Sequence, residues 1–329
     1  MRTFTLAAAA YYLVEKSGLF RAIPASPREI LHSKPFLFLA ILFAVNACAR
    51  LYLRPASAPR ASRAGWLCIH LSVIILVAAL WVSYFTRFEG KAIRMQEQTF
   101  NGFPNDYIQG SVHMGRFGHF PKIGILMHVI APQATSDGGR LSKVEAAISY
   151  AGPATNGPTG GRLSSRWPLF SDWTMVNISD FGYMVRFLVE DPWHRQVDSD
   201  YVHMKLFPAG KEDFFKSYLL PYSFFLKLYP DYQATGGHAA TQSPYLKNPL
   251  FHLRLTRNKD IVYDDMLKPT EHLRFEEFVL SLPEVRMWVE MSFVRDLGLP
   301  VAVAGLLLML SGMILTAFGK MRETKGNAQ

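Results

Sequence analysis

Between Asp296 and Lys320 no side chain carries a charge. The run Leu297–Gly319 is therefore long and apolar enough to cross the roughly 30 Å core of a bilayer as one helix. A second run, Trp66–Phe85, has only His70, Ser72 and Ser83 as clear polar interruptions. A third, Phe36–Leu53, carries Asn46 and Arg50, the latter close enough to one end to snorkel to an interface. These runs predict a membrane protein with three clear helical spans. The chain has 329 residues, 50% of them hydrophobic, which leaves room for one sizeable domain besides.

The start of the chain leaves readings open. Phe4–Val14 is apolar or small throughout but short for a span, and Glu15 and Lys16 follow it. It fits an interfacial helix, a strained span reaching Ile23, or the remnant of a longer start. A cleaved signal peptide would need a small-x-small site, and no clean one follows. Residues 1–35 are accordingly expected to hold a short or degenerate fourth span.

Orientation follows from the short connections. Residues 54–65 form a basic loop; Arg54, Arg60 and Arg63 within it and Arg50 just before it stand without an acid. The tail 320–329 carries Lys320, Arg322 and Lys325 against Glu323. The positive-inside rule places both in the cytoplasm. The span 66–85 then runs outward, 297–319 runs back, and 86–296 lies on the far side of an inner (cell) membrane as a multi-pass protein's outer domain.

That outer domain reads as β. Tyr183, Val185, Phe187 and Val189 alternate with polar residues, as do Val202, Met204 and Leu206, Phe251, Leu253 and Leu255, and Val285 through Phe293. This is the pattern of half-buried antiparallel strands. Ile123–Ile130 and Val144–Tyr150 predict further strands, and Ala151–Arg162 a Gly/Pro-rich loop. Glu212–Tyr229, aromatic and Leu-rich, predicts one or two short helices broken at Pro221. The expected architecture is a β-sandwich-like domain with a helical insertion. The two cysteines, Cys48 and Cys68, lie in apolar runs and cannot staple it.

Several chemistries are not signalled. The net charge of +9 comes from span flanks and scattered strand residues, without a basic helix or aromatic-basic platform, so nucleic acid is not an expected partner. The sequence has no C-x-x-C-H, H-E-x-x-H, P-loop or dinucleotide fingerprint. His113 and His119 flank Gly115 and Gly118 in an expected loop and read as surface histidines before metal ligands. Asp264–Asp265 and Glu276–Glu277 read as solvated turn and strand-edge charges. No catalytic residue is assigned, and the chain is not expected to be an enzyme on its own.

His70 stands apart as the only histidine within these spans. Counted from Trp66 it lies about 6 Å inside the cytoplasmic end. Two readings stay open: an interfacial histidine bonded to water or headgroups, and an axial ligand to haem iron within the membrane. In the last span Ala302, Gly305, Gly312 and Thr316 form a small face suited to close helix approach, either within the chain or against a partner.

Three segments carry a resemblance. GWLCIHLSVIILVAALWVSYFTRFEG (Gly65–Gly90), SKPFLFLAILFAVNACARLYLRP (Ser33–Pro55) and VEMSFVRDLGLPVAVAGLLLMLSGMILTAF (Val289–Phe318) resemble the ResB (CcsB) family of cytochrome c biogenesis proteins in order and spacing. They cover about a quarter of the chain, and the outer domain matches in strand pattern more than in residues. The family has one more full span before Ser33, where only Phe4–Val14 stands here. The resemblance implies that His70 matches the membrane histidine that helps ligate haem in transit, with haem b shared transiently with a partner. It implies a partner of the ResC/CcsA type, apocytochrome c as client, and membership of a holocytochrome c synthase complex that exports haem and attaches it. Two other classes compete: a haem-anchoring subunit of a membrane redox complex, and an envelope sensor or scaffold built on the β-rich domain.

The topology has a direct test. A reporter active only outside the cytoplasm, fused near Gly236, is expected to be active; activity of a cytoplasmic reporter alone at that position would overturn the orientation.

Overall fold

The computed structural model describes residues 34–52, 60–134, 141–153, 155–205, 212–217, 219–235 and 238–326. Phe4–Val14, His32, Arg54, Gly236 and the last residues of the tail lie outside them. About half of the described residues lie in strands and about a quarter in helices, so the described chain is mainly β. The helices are α1 (Lys34–Tyr52), α2 (Arg60–Thr86) and α3 (Gly298–Gly326). Seventeen strands separate α2 from α3. The first nine are β1 (Phe88–Met95), β2 (Thr99–Phe100), β3 (His113–Met114), β4 (Gly124–Ala134), β5 (Leu141–Ala151), β6 (Thr159–Ser164), β7 (Leu169–Ser171), β8 (Thr174–Glu190) and β9 (Gln196–Lys205). Then come β10 (Asp213–Lys216), β11 (Tyr222–Tyr229), β12 (Tyr232–Thr235), β13 (His238–Thr241), β14 (Leu250–Arg257), β15 (Asp260–Leu267), β16 (His272–Phe275) and β17 (Phe278–Arg295).

The expectation of three clear spans and a possible fourth is not met. Among the described residues only two helical stretches are long and apolar enough to cross a membrane, Arg63–Thr86 and Gly298–Gly319. α1 is not among them; the part of it whose side chains are described holds the shorter apolar stretch Phe38–Ala49. The basic connection expected at 54–65 is also shorter, because α2 begins at Arg60. At the other end α3 continues as helix to Gly326.

The helices form one compact unit and Phe88–Asp296 another. Within the first, α2 and α3 pack through small residues at seven-residue spacing. Gly298, Gly305, Gly312 and Gly319 are buried on α3, and Gly65, Ser72 and Ala79 on α2. A seven-residue repeat keeps one seam facing its neighbour, and small residues let the backbones come close. A Cβ added at Gly312 would stand 2.7 Å from the Gly65 carbonyl oxygen, and one at Gly65 2.6 Å from the Gly312 carbonyl oxygen. The small face read on the last span thus packs, at Gly305 and Gly312, against α2 of the same chain.

The second unit is built on one long antiparallel pair, β8 and β17, which run together from Thr174–Arg295 to Glu190–Val279. Its two halves have different neighbours. One half is flanked by β1 and β7, the other by β9 and β16, giving a seven-stranded sheet of order β3-β1-β17-β8-β7 with β16 on β17 and β9 on β8. The first half packs on the sheet β2-β4-β5-β6 through a core that includes Val176, Ile178, Val289, Met291 and Phe293 against Ile125, Met127, Val144 and Ile148. The second half packs on β10-β11-β14-β15 through Phe187, Val189, Leu280 and Leu282 against Phe224, Leu226, Leu253 and Leu255. Val285 and Leu228 touch both cores.

Two irregularities make this possible. In β17 one residue more than in β8 lies between Ser281 and Glu284, and in β8 one more lies opposite the Glu290–Met291 step. Each extra residue switches which parity faces inward. Buried Leu280 and Leu282 thus share a face with Val289 and Met291, and Val176 and Ile178 with Tyr183 and Val185. Where the two halves meet, Tyr183 is buried and its hydroxyl donates to the Pro244 carbonyl at 2.6 Å. The Trp288 indole N–H donates to the Tyr183 carbonyl at 3.1 Å.

Two further expectations are corrected. The architecture is not a single sandwich but two four-stranded sheets applied to one seven-stranded sheet, with a separate β12–β13 hairpin. Glu212–Tyr229 holds β10 and β11, not helices. Tyr222, Phe224 and Leu226 face the core while Ser223, Phe225 and Lys227 face out. Phe214 and Phe225, paired across strands on the outer face, disguise the alternation as a uniformly aromatic run.

The helix seam predicts a ranking. Gly312→Ala meets backbone and should cost about 1–3 kcal/mol, seen as a lowered Tm of the full chain in detergent. Gly305→Ala meets only the Ile75 and Leu76 side chains at 3.1 Å and should cost clearly less. The reverse ranking would show that the helices meet through another face.

Candidate functional site

The helix α2 carries the one histidine described in the helical unit. His70 follows Trp66 by one turn, and at four-residue spacing the two side chains share a face. The imidazole lies against the indole with ring centroids 4.0 Å apart and an interplanar angle of 34°. Its Nδ1 is 2.9 Å from the Trp66 carbonyl oxygen. A carbonyl only accepts, so Nδ1 carries a proton and donates, and in the neutral ring Nε2 is left with its lone pair. That division of labour is how ligating histidines are oriented: one ring nitrogen donates to a backbone carbonyl and the other faces the metal. The ring is partly exposed on the helix surface. Counted from Trp66, beyond the last charge at Arg63, His70 stands about 6 Å along the apolar stretch.

His70 supplies a single ligand. Among the described residues no three His, Cys, Asp or Glu side chains gather to hold a metal ion. His113 on β3 and His119 beyond it are both exposed. His128 hydrogen-bonds Ser149 at 2.7 Å across β4 and β5, and His252 pairs with Asp264 at 3.1 Å. The free cysteines sit on helices, Cys48 exposed and Cys68 half-buried.

The acidic pairs weighed in the sequence find structural partners. Asp264 and Asp265 lie within β15, not in a turn. Glu276 forms the tight turn between β16 and β17 with a positive φ of 49°. Its carboxylate accepts from the Tyr222 hydroxyl and from Arg257 at 2.9 Å, and these donors hold its pKa below the usual carboxylate range. Glu284 is held down in the same way, first by the Tyr201 hydroxyl at 2.7 Å and then by Arg286.

A second feature was not visible in the sequence because two of its strands, β10 and β11, read as helices. The outer face of β10-β11-β14-β15 carries an open groove of about 950 Å³ lined in part by Phe214, Lys216, Phe225, Arg254 and Thr256. Phe214, Phe225, Arg254 and Asp264 form one cross-strand row. Arg254 lies over the Phe225 ring, 4.6 Å from its centroid, and bonds Glu212 at 2.6 Å. Aromatic faces beside fixed cations suit binding an extended, partly apolar ligand.

Compared with known proteins, the chain matches no family model and no curated sequence.

The orientation of His70 is testable by itself. Ring-nitrogen NMR of the full chain in detergent, at a pH where the ring is neutral, should show Nδ1 as the protonated nitrogen and Nε2 as the bare one. The opposite tautomer would remove the bond to Trp66 and the ligand geometry with it.

Proposed function

We propose that this chain is a membrane subunit of a cytochrome c biogenesis complex, holding haem b as cargo on its way to apocytochrome c outside the cytoplasm. In this reading α2 and α3 cross the cell membrane. Two crossings return the chain to its starting side, and the basic residues there, Arg60 and Arg63 at the start of α2 and Lys320, Arg322 and Lys325 near the end of α3, keep that side cytoplasmic. The β unit, Phe88–Asp296, then stands outside. The observation that carries the proposal is the committed Nδ1 of His70, which aims a free Nε2 outward from an apolar helix. The resemblance of Gly65–Gly90, Ser33–Pro55 and Val289–Phe318 to the ResB (CcsB) family supports it independently.

The residues fit haem as one axial ligand beside an aromatic ring, and no more than that. The second axial position and the attachment chemistry are assigned to a partner of the ResC/CcsA type. A polarised but uncharged imidazole is a good ligand for haem iron, and one shared between two subunits can be surrendered when the cargo moves on.

The test is purification of the full chain alone and with such a partner, followed by absorption spectroscopy. The chain alone should carry little haem and the complex a low-spin spectrum. His70→Ala should weaken haem retention by at least about tenfold, the scale on which altered ligand support acts at metal sites. Full haem content and normal cytochrome maturation in His70→Ala would overturn the assignment.

A further inference from the structure

One end of the seven-stranded sheet is where the chain enters and leaves the β unit. The register puts Met114, Phe88, Arg295, Thr174 and Ser171 side by side in its last row. Arg87 alone separates α2 from this row, and Asp296 and Leu297 alone separate the row from α3. Two connections project beyond the row at the same end. After β3 come Arg116 and Phe117, in a turn closed by the Gly118 N–H donating to the Gly115 carbonyl at 2.8 Å. Between β7 and β8 stands the two-residue turn Asp172–Trp173, with φ values of 47° and 58°.

These projections are apolar where a soluble sheet end is ordinarily polar. Trp173 is 64% exposed, Phe170 66%, Phe117 58% and Met114 47%. Tight hairpin turns with positive φ favour Gly, Asn and Asp; a tryptophan there is held in an unfavourable conformation while its ring is left uncovered. Exposed Arg116 stacks over Phe117 at 5.8 Å. The last turns of α2 carry Trp81, Tyr84 and Phe85 in mutual ring contact, the residue types that mark the level of a membrane interface.

We propose that this end of the sheet is a membrane-docking surface, with Trp173 and Phe117 inserted at the boundary between lipid headgroups and acyl chains. Arg116 would meet lipid phosphates. The inference rests on the part of the proposed function that takes α2 and α3 as spans, and not on haem. Chain continuity selects the occupant: if the two apolar helices lie in a bilayer, one- and two-residue connections bring this sheet end to its surface. Amphipathic Trp and Arg are the side chains that gain there. The docking would hold the β unit in one orientation over the membrane instead of leaving it to swing on two short tethers.

The test uses the full chain with Cys48→Ala and Cys68→Ala, reconstituted in vesicles of phosphatidylcholine with a minority of phosphatidylglycerol. Single cysteines are introduced as Trp173→Cys, Phe117→Cys, Trp193→Cys or Leu307→Cys and labelled with an environment-sensitive fluorophore. Trp193, 73% exposed between β8 and β9, marks the opposite end of the sheet, and Leu307 the middle of α3. A nitroxide lipid labelled near the headgroup should quench positions 173 and 117 severalfold more than 193, with blue-shifted emission at both. A lipid labelled near the chain end should quench 307. Quenching of 307 with 173 and 117 no different from 193 would overturn the docking surface and leave the spans standing. An unquenched 307 would overturn the spans and the docking surface together.

Discussion

The β unit depends on a single continuous pair of strands doing two jobs. β8 and β17 are long enough for each half to bury against a different four-stranded sheet, and the halves share their hydrogen-bond ladder. Side chains in a strand alternate strictly, so an uninterrupted pair would bury one parity throughout. The extra residue at Leu282–Pro283 resets that parity in β17, and Pro283 fits there because a bulge does not ask every N–H to join the ladder. Without disulfides, the unit rests on these two cores and on the buried hydrogen bonds of Tyr183 and Trp288 at their junction.

A comparable economy holds the helices. Gly298 and Gly312 on α3 meet the backbone carbonyls of Ala79 and Gly65 on α2, and Gly305 between them meets the Ile75 and Leu76 side chains. Such an interface is narrow and intolerant of bulk. It leaves most of the Leu, Ile and Val side chains of both helices on their outer surfaces, which is the distribution an apolar solvent rewards. His70 lies on this helix with one nitrogen satisfied by its own backbone, so it reaches outward without leaving an orphaned donor.

The candidate site was partly legible. His70 could be found by its isolation in an apolar run, but its tautomer could not, since that depends on the Trp66 carbonyl and on which rotamer the helix allows. The groove over β10-β11-β14-β15 was hidden because Phe214 and Phe225 on the outer face made an alternating pattern read as a helical one. The hairpin-tip Trp173 was equally hidden. Its neighbours Asp172 and Thr174 look ordinary, and only the pairing of Ser171 with Thr174 shows how tightly the chain turns there.

What the sequence determined by itself is local: two uncharged apolar runs that form helices, and period-two stretches that hide one face as strands. The basic residues at the start of α2 and near the end of α3 belong here too, because charge asymmetry is a property of the chain and not of its packing. Tertiary structure decided the rest. It chose which strands neighbour which, because β1 meets β17 across some two hundred residues and no local pattern encodes such a partner. It also placed Met114, Phe117 and Trp173 at one end of one sheet, where separate and unremarkable stretches of sequence become a single apolar surface.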